Sequence, residues 1–220
     1  MNPTRLPYLS IEAREVLLDS LLETLPSWLE LVSSQGLAPR FRDARSGEPW
    51  RLFPGGEVEL GVTPLLVEQV EQLMMRHPLR GNPLTTHFEA RTVSVEPFLM
   101  MEQVVSQAAT PGEPRVLLTD HVAEARRLLQ TREARLPTEP EWEYAWRLVQ
   151  YEAGGWVPAP CELCAEAWSL DGRPSEGPPG VVRSASFDRE EFDWVLPARQ
   201  PLKGVRFATV RPTRSLPQSA

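Results

Sequence analysis

The sequence predicts an α+β protein with short, irregular strands and long connections. Apolar residues recur at helical spacing in residues 63–75 and 120–130, so helices are expected there. Apolar residues alternate with glutamates over residues 57–60, which is typical of a half-exposed strand. From about residue 150 to Gly180 the chain is mostly loop, so the later strands should be short and widely separated along the sequence.

Residues 10–34 are predicted to form an N-terminal helix. Ser10 suits an N-cap, and leucine and tryptophan residues at helical period form a broad apolar stripe. Pro26 lies inside that pattern and should kink the helix or split it into two. Because so wide a stripe has to be covered, the segment is expected to pack on its own chain. The predicted organisation is an N-terminal helical segment at 1–46, a main domain at 47–212 and a tail at 213–220.

A polar, turn-rich stretch at residues 41–50 marks the boundary before the main domain. Two short strands are then expected around the Pro-Gly-Gly turn at residues 54–56. A helix follows at residues 63–75. The next strand, at residues 92–100, alternates until Pro97 stops it.

The C-terminal half should begin with a helix at residues 120–130, which Asp120 would cap. Short strands are expected at residues 181–183 and 204–210. The chain from Pro212 onward is predicted to be a frayed end.

The stretch Arg-Leu-Pro-Thr-Glu-Pro-Glu-Trp-Glu-Tyr-Ala at residues 135–145 is the most informative one. Thr138 and Glu141 have the spacing of a capping box, in which each side chain accepts a hydrogen bond from the other's backbone N–H. Pro140 falls in the first turn, where a missing N–H costs nothing. A helix should therefore run from Glu139 to about residue 150, and Arg135 is expected to pair with Glu143. The residues expected to pack in a core are Trp142, Ala145, Trp146 and Val149.

Composition excludes some classes of protein. The formal net charge is −7, which argues against a nucleic-acid binder, because such proteins normally carry a basic patch. No apolar run is long enough to span a bilayer, so no membrane association is expected. The N-terminus lacks an apolar core after a basic start, so no signal peptide is expected and a cytoplasmic location is predicted.

The two cysteines form one motif, Cys161-Glu-Leu-Cys164. A C-x-x-C motif is typical of a redox pair or of half a zinc site. A zinc site needs two more ligands, and the histidines lie far upstream without ligand spacing. We favour two small, half-buried residues on one turn, with a disulfide or a metal as the alternative. The three histidines are His77, His87 and His121.

Residues 135–145 also resemble the R-L-P-T-E-x-E-W-E-Y-A signature of the formylglycine-generating enzyme (sulfatase-modifying factor) family. Further blocks occur in the family's order over roughly residues 50–211. They are 52–61 (similar to i-P-G-G-x-F-x-M-G), 93–98 (V-x-V-x-P-F), 116–129 (V-S-W-x-D-A), 163–168 (G-N-V-x-E-W), 181–187 (V-x-R-G-G-S-W) and 204–207 (the closing G-F-R). The resemblance implies the family's loop-rich variant of the C-type-lectin-like fold, with Glu166 at the position of the family's glutamate.

The chain departs from the family where its chemistry lies. Members that make formylglycine resemble one another in a copper-binding cysteine pair shortly before the closing G-F-R, and this chain has no cysteine after Cys164. Leu163 stands at the asparagine position of the block implied to bind calcium. Ergothioneine-type sulfoxide synthases resemble the fold and bind iron, for which His77, His87 and Glu89 are candidates, but nothing fixes these residues on one face. No metal or other cofactor is therefore expected.

The leading hypothesis is a non-catalytic binding or assembly module on a degenerate fold of this family, engaging a protein partner. Aromatic residues in loops are the candidate contacts, because aromatics anchor interfaces, although burial as core filler is equally open. These contacts are Trp156, Trp168, Phe192 and Trp194. The structural signature comprises Arg135, Thr138, Glu141, Trp142, Glu143 and Glu166.

Three other interpretations stay open. The first is a metal- and oxygen-dependent oxidoreductase of the same family with a rearranged site. The second is a structural role in which the amphipathic residues 11–32 drive oligomerisation. The third concerns the acidic run at residues 188–193, which we interpret as a solvated loop, with a bound cation as the alternative.

Overall fold

The computed structural model describes residues 11–36, 38–76, 89–105, 117–118, 121–149, 161–169, 177–184, 198–202 and 207–216. Within these residues the protein is α+β, with short strands joined by long connections, and its named strands pair antiparallel. The helices are α1 (Ile11–Thr24), α2 (Pro64–Arg76), α3 (His121–Gln130) and α4 (Glu139–Val149). The strands are β1 (Leu29–Ser33), β2 (Arg40–Asp43), β3 (Pro49–Phe53), β4 (Gly56–Leu60), β5 (Arg91–Val95), β6 (Phe98–Met101), β7 (Leu117–Leu118), β8 (Glu162–Leu163), β9 (Val181–Ser184), β10 (Ala198–Pro201), β11 (Phe207–Ala208) and β12 (Thr213–Ser215).

The largest of the described sheets has five strands in the order β1-β2-β3-β6-β12. It brings together the first three of the described strands and the last one. A three-stranded sheet has the order β10-β9-β8, and two pairs, β11-β7 and β4-β5, complete the described strands. Within the described residues, none of the helices has the length and hydropathy needed to cross a bilayer.

The prediction of a helix through residue 34 is wrong beyond Thr24. Proline disfavours the helical conformation of the residue before it, so Pro26 ends α1 rather than kinking it. The Trp28 carbonyl accepts a hydrogen bond from the Ala44 N–H at 2.8 Å, and β1 then pairs with β2. The apolar stripe of α1 does pack on the chain's own sheet. It contributes Leu18, Leu21 and Leu22, and is followed by Leu25, in a cluster with Phe41, Trp50, Leu52, Leu99 and Met101.

Two stretches that read as irregular in the sequence are strands. Residues 41–50, predicted as a polar boundary, contain most of the β2–β3 hairpin, so the predicted division after residue 46 falls in its turn. Thr213–Ser215, predicted to fray, forms β12 on β6, and Thr213 is fully buried. In both places few apolar residues marked the strand, because charged side chains such as Asp43 and Arg214 are buried in ion pairs.

The remaining described elements follow the predictions closely. Helices α2, α3 and α4 are confirmed, and Pro97 separates β5 from β6 as expected. Strands β3 and β4 flank the Pro-Gly-Gly turn but belong to different sheets. Gly55 in that turn has φ +71°, and a Cβ there would collide with the Val95 carbonyl, so only glycine fits.

Helix α4 lies at the centre of the main core. Every residue of α4 except Pro140 is buried, and Trp142, Ala145 and Val149 have no exposed surface. The Phe53 and Phe98 rings stack at 5.0 Å, and Tyr144 meets both edge-on at 6.3 Å. The predicted apolar face of this helix is therefore confirmed, and its polar face is buried as well.

Candidate functional site

The capping box at the start of α4 is formed as predicted. The Thr138 N–H donates to Glu141 Oε2 at 2.8 Å, and the Glu141 N–H donates to Thr138 Oγ1 at 3.2 Å. Arg135 holds the same carboxylate with two further hydrogen bonds, of 2.7 and 2.6 Å. The predicted Arg135–Glu143 pair is therefore wrong. Residues two positions apart on a helix point about 200° away from each other, so a side chain that reaches Glu141 does not reach Glu143.

Glu143 instead ties α4 to the end of β4. Its Oε1 accepts hydrogen bonds from the Gly61 N–H at 2.8 Å and from Arg147 Nη2 at 2.5 Å. Arg147 also donates to the Gly61 carbonyl at 2.7 Å. Glu143 is buried, and Arg183 approaches its second oxygen at 3.4 Å. The carboxylate therefore has a structural role in joining helix and strand.

Glu139 binds two arginines from the C-terminal part of the chain. Arg199 donates to both of its carboxylate oxygens, at 2.5 and 3.1 Å, and Arg183 donates at 3.2 Å. All three side chains are almost completely buried. The Glu139 N–H donates to Glu166 Oε2 at 2.8 Å, so a second carboxyl group caps the helix.

Glu162 forms another buried ion pair, with Arg211. Two hydrogen bonds of 2.8 Å join the side chains, and Glu162 also accepts from Trp142 Nε1 at 2.8 Å. Sequence reasoning identified Glu141, Glu143 and Glu166, placed Glu139 only at the start of the helix, and missed Glu162 and the arginines that neutralise this region. The arginines are Arg147, Arg183, Arg199 and Arg211. We call the whole set, with Glu139, Glu141, Glu143, Glu162, Glu166 and Arg135, the α4 polar core.

One carboxyl group in this core titrates near neutral pH. Burial is the main cause that raises the pKa of Glu166 from its usual 4.5 to about 7. The neighbouring carboxylates of Glu139 and Glu141 act in the same direction, and the hydrogen bond from the Glu139 N–H opposes them. Burial also raises the pKa of the Cys164 thiol well above its usual value. The signature helix therefore begins beside a carboxyl group that gains and loses its proton at physiological pH.

Cys161 and Cys164 are both free and buried. Burial raises the pKa of each thiol, so both are protonated at neutral pH. This matches the favoured interpretation of two small residues, although they are buried rather than half-buried. Among the described residues no group of three or more histidine, cysteine or acidic side chains could hold a metal ion. His77, His87 and the side chain of His121 lie outside the described part of the chain.

Of the four predicted contact residues, the structure describes Trp168. Its side chain is half-buried, packs against the main core and lies beside Arg199, whose guanidinium carbon is 4.4 Å from the indole ring. Trp156, Phe192 and Trp194, and the acidic run at residues 188–193, lie outside the described residues. Trp168 thus has one side in the core and part of its surface exposed.

A second polar region contains two pockets, of about 410 and 420 Å³. Both are lined by Glu133 and Arg214, so they adjoin each other. The first is also lined by Pro26, Trp28, Leu99, Ala134, Arg135, Thr213, Ser215 and Leu216. The second is also lined by Asp43, Arg45, Ser46, Glu48, Thr131 and Arg132. We call this surface the Trp28 face; it draws on the α1–β1 turn, the β2–β3 turn, the end of α3 and β12.

Two arginines of the Trp28 face stack on tryptophans, the half-buried Trp28 and the fully buried Trp50. The guanidinium carbon of Arg45 lies 3.9 Å from the centre of the Trp28 ring, and that of Arg214 lies 4.7 Å from Trp28 and 4.1 Å from Trp50. Burial would raise the pKa of Asp43, but hydrogen bonds from the Arg45 side chain and N–H and from Arg214 lower it to about 2. Asp43 therefore stays ionised and holds the two arginines together.

Glu133 stands at an unfavourable position on this face. Its φ is +51°, and hydrogen bonds from the Glu133 N–H to the Gln130 carbonyl and from the Ala134 N–H to the Leu129 carbonyl close α3 in a Schellman motif. The left-handed position usually holds glycine, and a residue with a side chain costs about 1–2 kcal/mol there. A carboxylate at the helix C-terminus costs roughly a further 0.3–1 kcal/mol.

The interaction that Glu133 makes within the described chain is weak. Its carboxylate accepts from Arg45 Nη1 at 3.1 Å, but the two side chains are 70% and 43% exposed. Ion pairs as exposed as this one contribute little, because water screens both charges and ordering two long side chains costs entropy. The contact therefore does not offset the backbone and dipole penalties of a glutamate at this position.

Comparison with models of known protein families gave no match, and no curated protein matches the sequence. The resemblance to the formylglycine-generating enzyme family therefore rests on the sequence blocks alone and stays a prediction.

Proposed function

We propose that this chain is a non-catalytic binding or assembly module, built on a degenerate formylglycine-generating-enzyme-like variant of the C-type-lectin-like fold, that engages a protein partner. The ordered blocks support the fold, because the signature corresponds to α4 and the blocks at 52–61 and 93–98 correspond to strands β3 to β6. An α+β chain with short antiparallel strands and long connections is compatible with that fold.

The pairing of groups in the α4 polar core supports a non-catalytic role. Glu139, Glu141 and Glu143 each accept hydrogen bonds from at least one arginine and are buried. Charges that neutralise one another inside a core hold elements together, and breaking one pair costs several kcal/mol. The signature residues therefore have a structural task that accounts for their presence.

The observation that carries the binding proposal is the Trp28 face. Two adjoining pockets there are lined by a half-buried tryptophan, by arginines and by an exposed glutamate in a strained conformation. Tryptophan and arginine are the residues most enriched at the energetic centres of protein interfaces. Strained residues occur preferentially at functional sites. The half-exposed Trp168 is a second candidate contact.

Site-specific photo-cross-linking of the full-length protein in its native cells tests the proposal. A photoreactive residue replaces Arg45, which is exposed on the Trp28 face, and in a matched control replaces Glu57, which is exposed on β4. We expect a defined protein adduct from position 45 that is absent from position 57 and is lost on Trp28→Ala substitution. A protein that gives no adduct from either position and remains an inert monomer contradicts the proposal.

Metal analysis separates this function from the oxidoreductase alternative. Protein purified without a tag should contain no stoichiometric copper or iron. Near-stoichiometric copper or iron that disappears in Cys161→Ser or His87→Ala would replace the binding proposal with a rearranged oxidase site.

A further inference from the structure

The placement of Glu133 points to a ligand group outside the chain. Its backbone has the left-handed conformation that glycine adopts without strain, and its carboxylate lies beside the negative end of α3. The exposed ion pair with Arg45 stabilises the folded protein by less than these two penalties destabilise it. Among the described residues Glu133 makes no contact that offsets these penalties, and a contact with another molecule would account for its position.

The surroundings of Glu133 define the chemistry of that contact. The first pocket has an apolar lining that includes Trp28, Leu99 and Leu216 next to the carboxylate, and the two arginines that also line it are already paired with Glu141 and Asp43. Arg45 already shows how a cation is held here, with its guanidinium 3.9 Å from the Trp28 ring and 3.1 Å from Glu133. An indole and a carboxylate that share one cation are a recognition site for a basic side chain with an apolar stem.

We propose that Glu133 and Trp28 bind an arginine or lysine side chain of the protein partner, with its aliphatic stem against the apolar lining and its cationic head at the Glu133 carboxylate. This inference rests on the proposed function, since it assumes a protein partner. The net charge of −7 favours approach of a basic surface.

Arg45 can release Glu133 without losing its other partner. Its backbone N–H donates to Asp43 at 2.9 Å, and its side chain makes two hydrogen bonds of 3.2 Å to the same carboxylate. The incoming cation therefore takes over the Glu133 carboxylate, and its stem adds burial against the apolar lining of the first pocket, which Arg45 does not line. Because Asp43 keeps its contacts with Arg45 and Arg214, the exchange leaves no buried charge uncompensated.

The site is tested with small probes on the full-length protein. We use acetyl-arginine methylamide and its neutral analogue acetyl-citrulline methylamide, and follow the Trp28 indole N–H by NMR, assigned through Trp28→Phe. The arginine probe should give a saturable shift of this signal and the citrulline probe none. Glu133→Gln should weaken binding about tenfold, the loss expected for one charge-assisted contact.

Two further variants complete the test. Glu133→Gly removes the carboxylate while relieving the strained backbone, so the variant should fold and still fail to bind; Glu57→Gln, on β4, should bind like the unchanged protein. The inference is overturned if the arginine probe gives no saturable shift, if citrulline binds equally, or if both Glu133 variants bind normally. Stronger binding of acetyl-glutamate methylamide would make this an anion site at Arg45 instead.

The outcome is separable from that of the cross-linking experiment. An adduct from position 45, combined with no arginine-probe binding, would leave the proposed function standing and reject this site. Probe binding without any protein adduct would support the pocket chemistry and reject the protein partner.

Discussion

The α4 polar core and the Trp28 face both contain arginines paired with acidic residues, but the Trp28 face has a largely exposed pair beside its buried Asp43–Arg214 pair. In the core, pairs such as Glu162–Arg211 are almost fully buried and make several hydrogen bonds each. On the Trp28 face, the Arg45–Glu133 pair is largely exposed and makes one. Buried pairs are costly to break singly and therefore hold the fold together, whereas an exposed pair is weak and can be exchanged for a contact with another molecule.

The largest expected effect comes from the core. Glu162→Gln removes the charge that faces the buried Arg211 and leaves that guanidinium without its carboxylate. We expect a loss of about 3–5 kcal/mol in the free energy of unfolding, measured by denaturant titration. The matched exchange on the Trp28 face, Glu133→Gln, should change it by less than about 1 kcal/mol. Similar losses in the two variants would remove the distinction between the regions.

The pH dependence of stability should come next in size. Because the pKa of Glu166 is raised to about 7 in the folded state, folded protein binds more protons than unfolded protein between pH 4.5 and 7. Stability should therefore fall as pH rises through this window, by on the order of 3 kcal/mol in total. Glu166→Gln should abolish that slope in denaturant titrations run across the window. A slope that persists in the variant would assign the titration to another group.

A smaller effect is expected at the entrance to α4. Thr138→Ala removes the hydroxyl that accepts the Glu141 N–H but leaves the Glu141–Thr138 N–H and Glu141–Arg135 contacts intact. The free energy of unfolding should fall by about 1 kcal/mol, as for other N-caps, and thermal unfolding should show this as a lower Tm. Thr138→Ser, which keeps the hydroxyl, is the control and should lose much less.

The smallest expected effect concerns the strained residue of the Trp28 face. Glu133→Gly relieves the left-handed backbone and loses the exposed pair with Arg45, so stability should be unchanged or higher by up to about 1 kcal/mol. Glycine at an ordinary exposed helical position, as in Glu68→Gly on α2, should instead lower it by about 1 kcal/mol. If Glu133→Gly destabilised the protein as much as Glu68→Gly does, the strain argument would be wrong.

Local sequence signals predicted α4 well, because they depend on residues only a few positions apart. The Thr138–Glu141 capping box and the apolar spacing of Trp142 and Ala145 act within one or two helical turns. The helical period of α2 and α3 was equally readable. The sequence showed that Pro26 would interrupt the helix, but it did not show that a strand would follow. Whether a helix resumes or a strand begins depends on the segments with which the next residues can pair.

The sequence by itself therefore determined the mixed α+β class, the capped helix and its apolar face. Tertiary structure decided which charges meet: Arg199 and Arg211 lie 60 and 49 residues from the carboxylates that they bind. It also decided that β1, whose apolar residues fitted the predicted helix, and β12, which has none, join one sheet. It further decided that Trp28, Glu133 and Arg214 line one surface. Charge pairing and strand addition are long-range choices, because any arginine can neutralise any carboxylate until the fold brings two of them together.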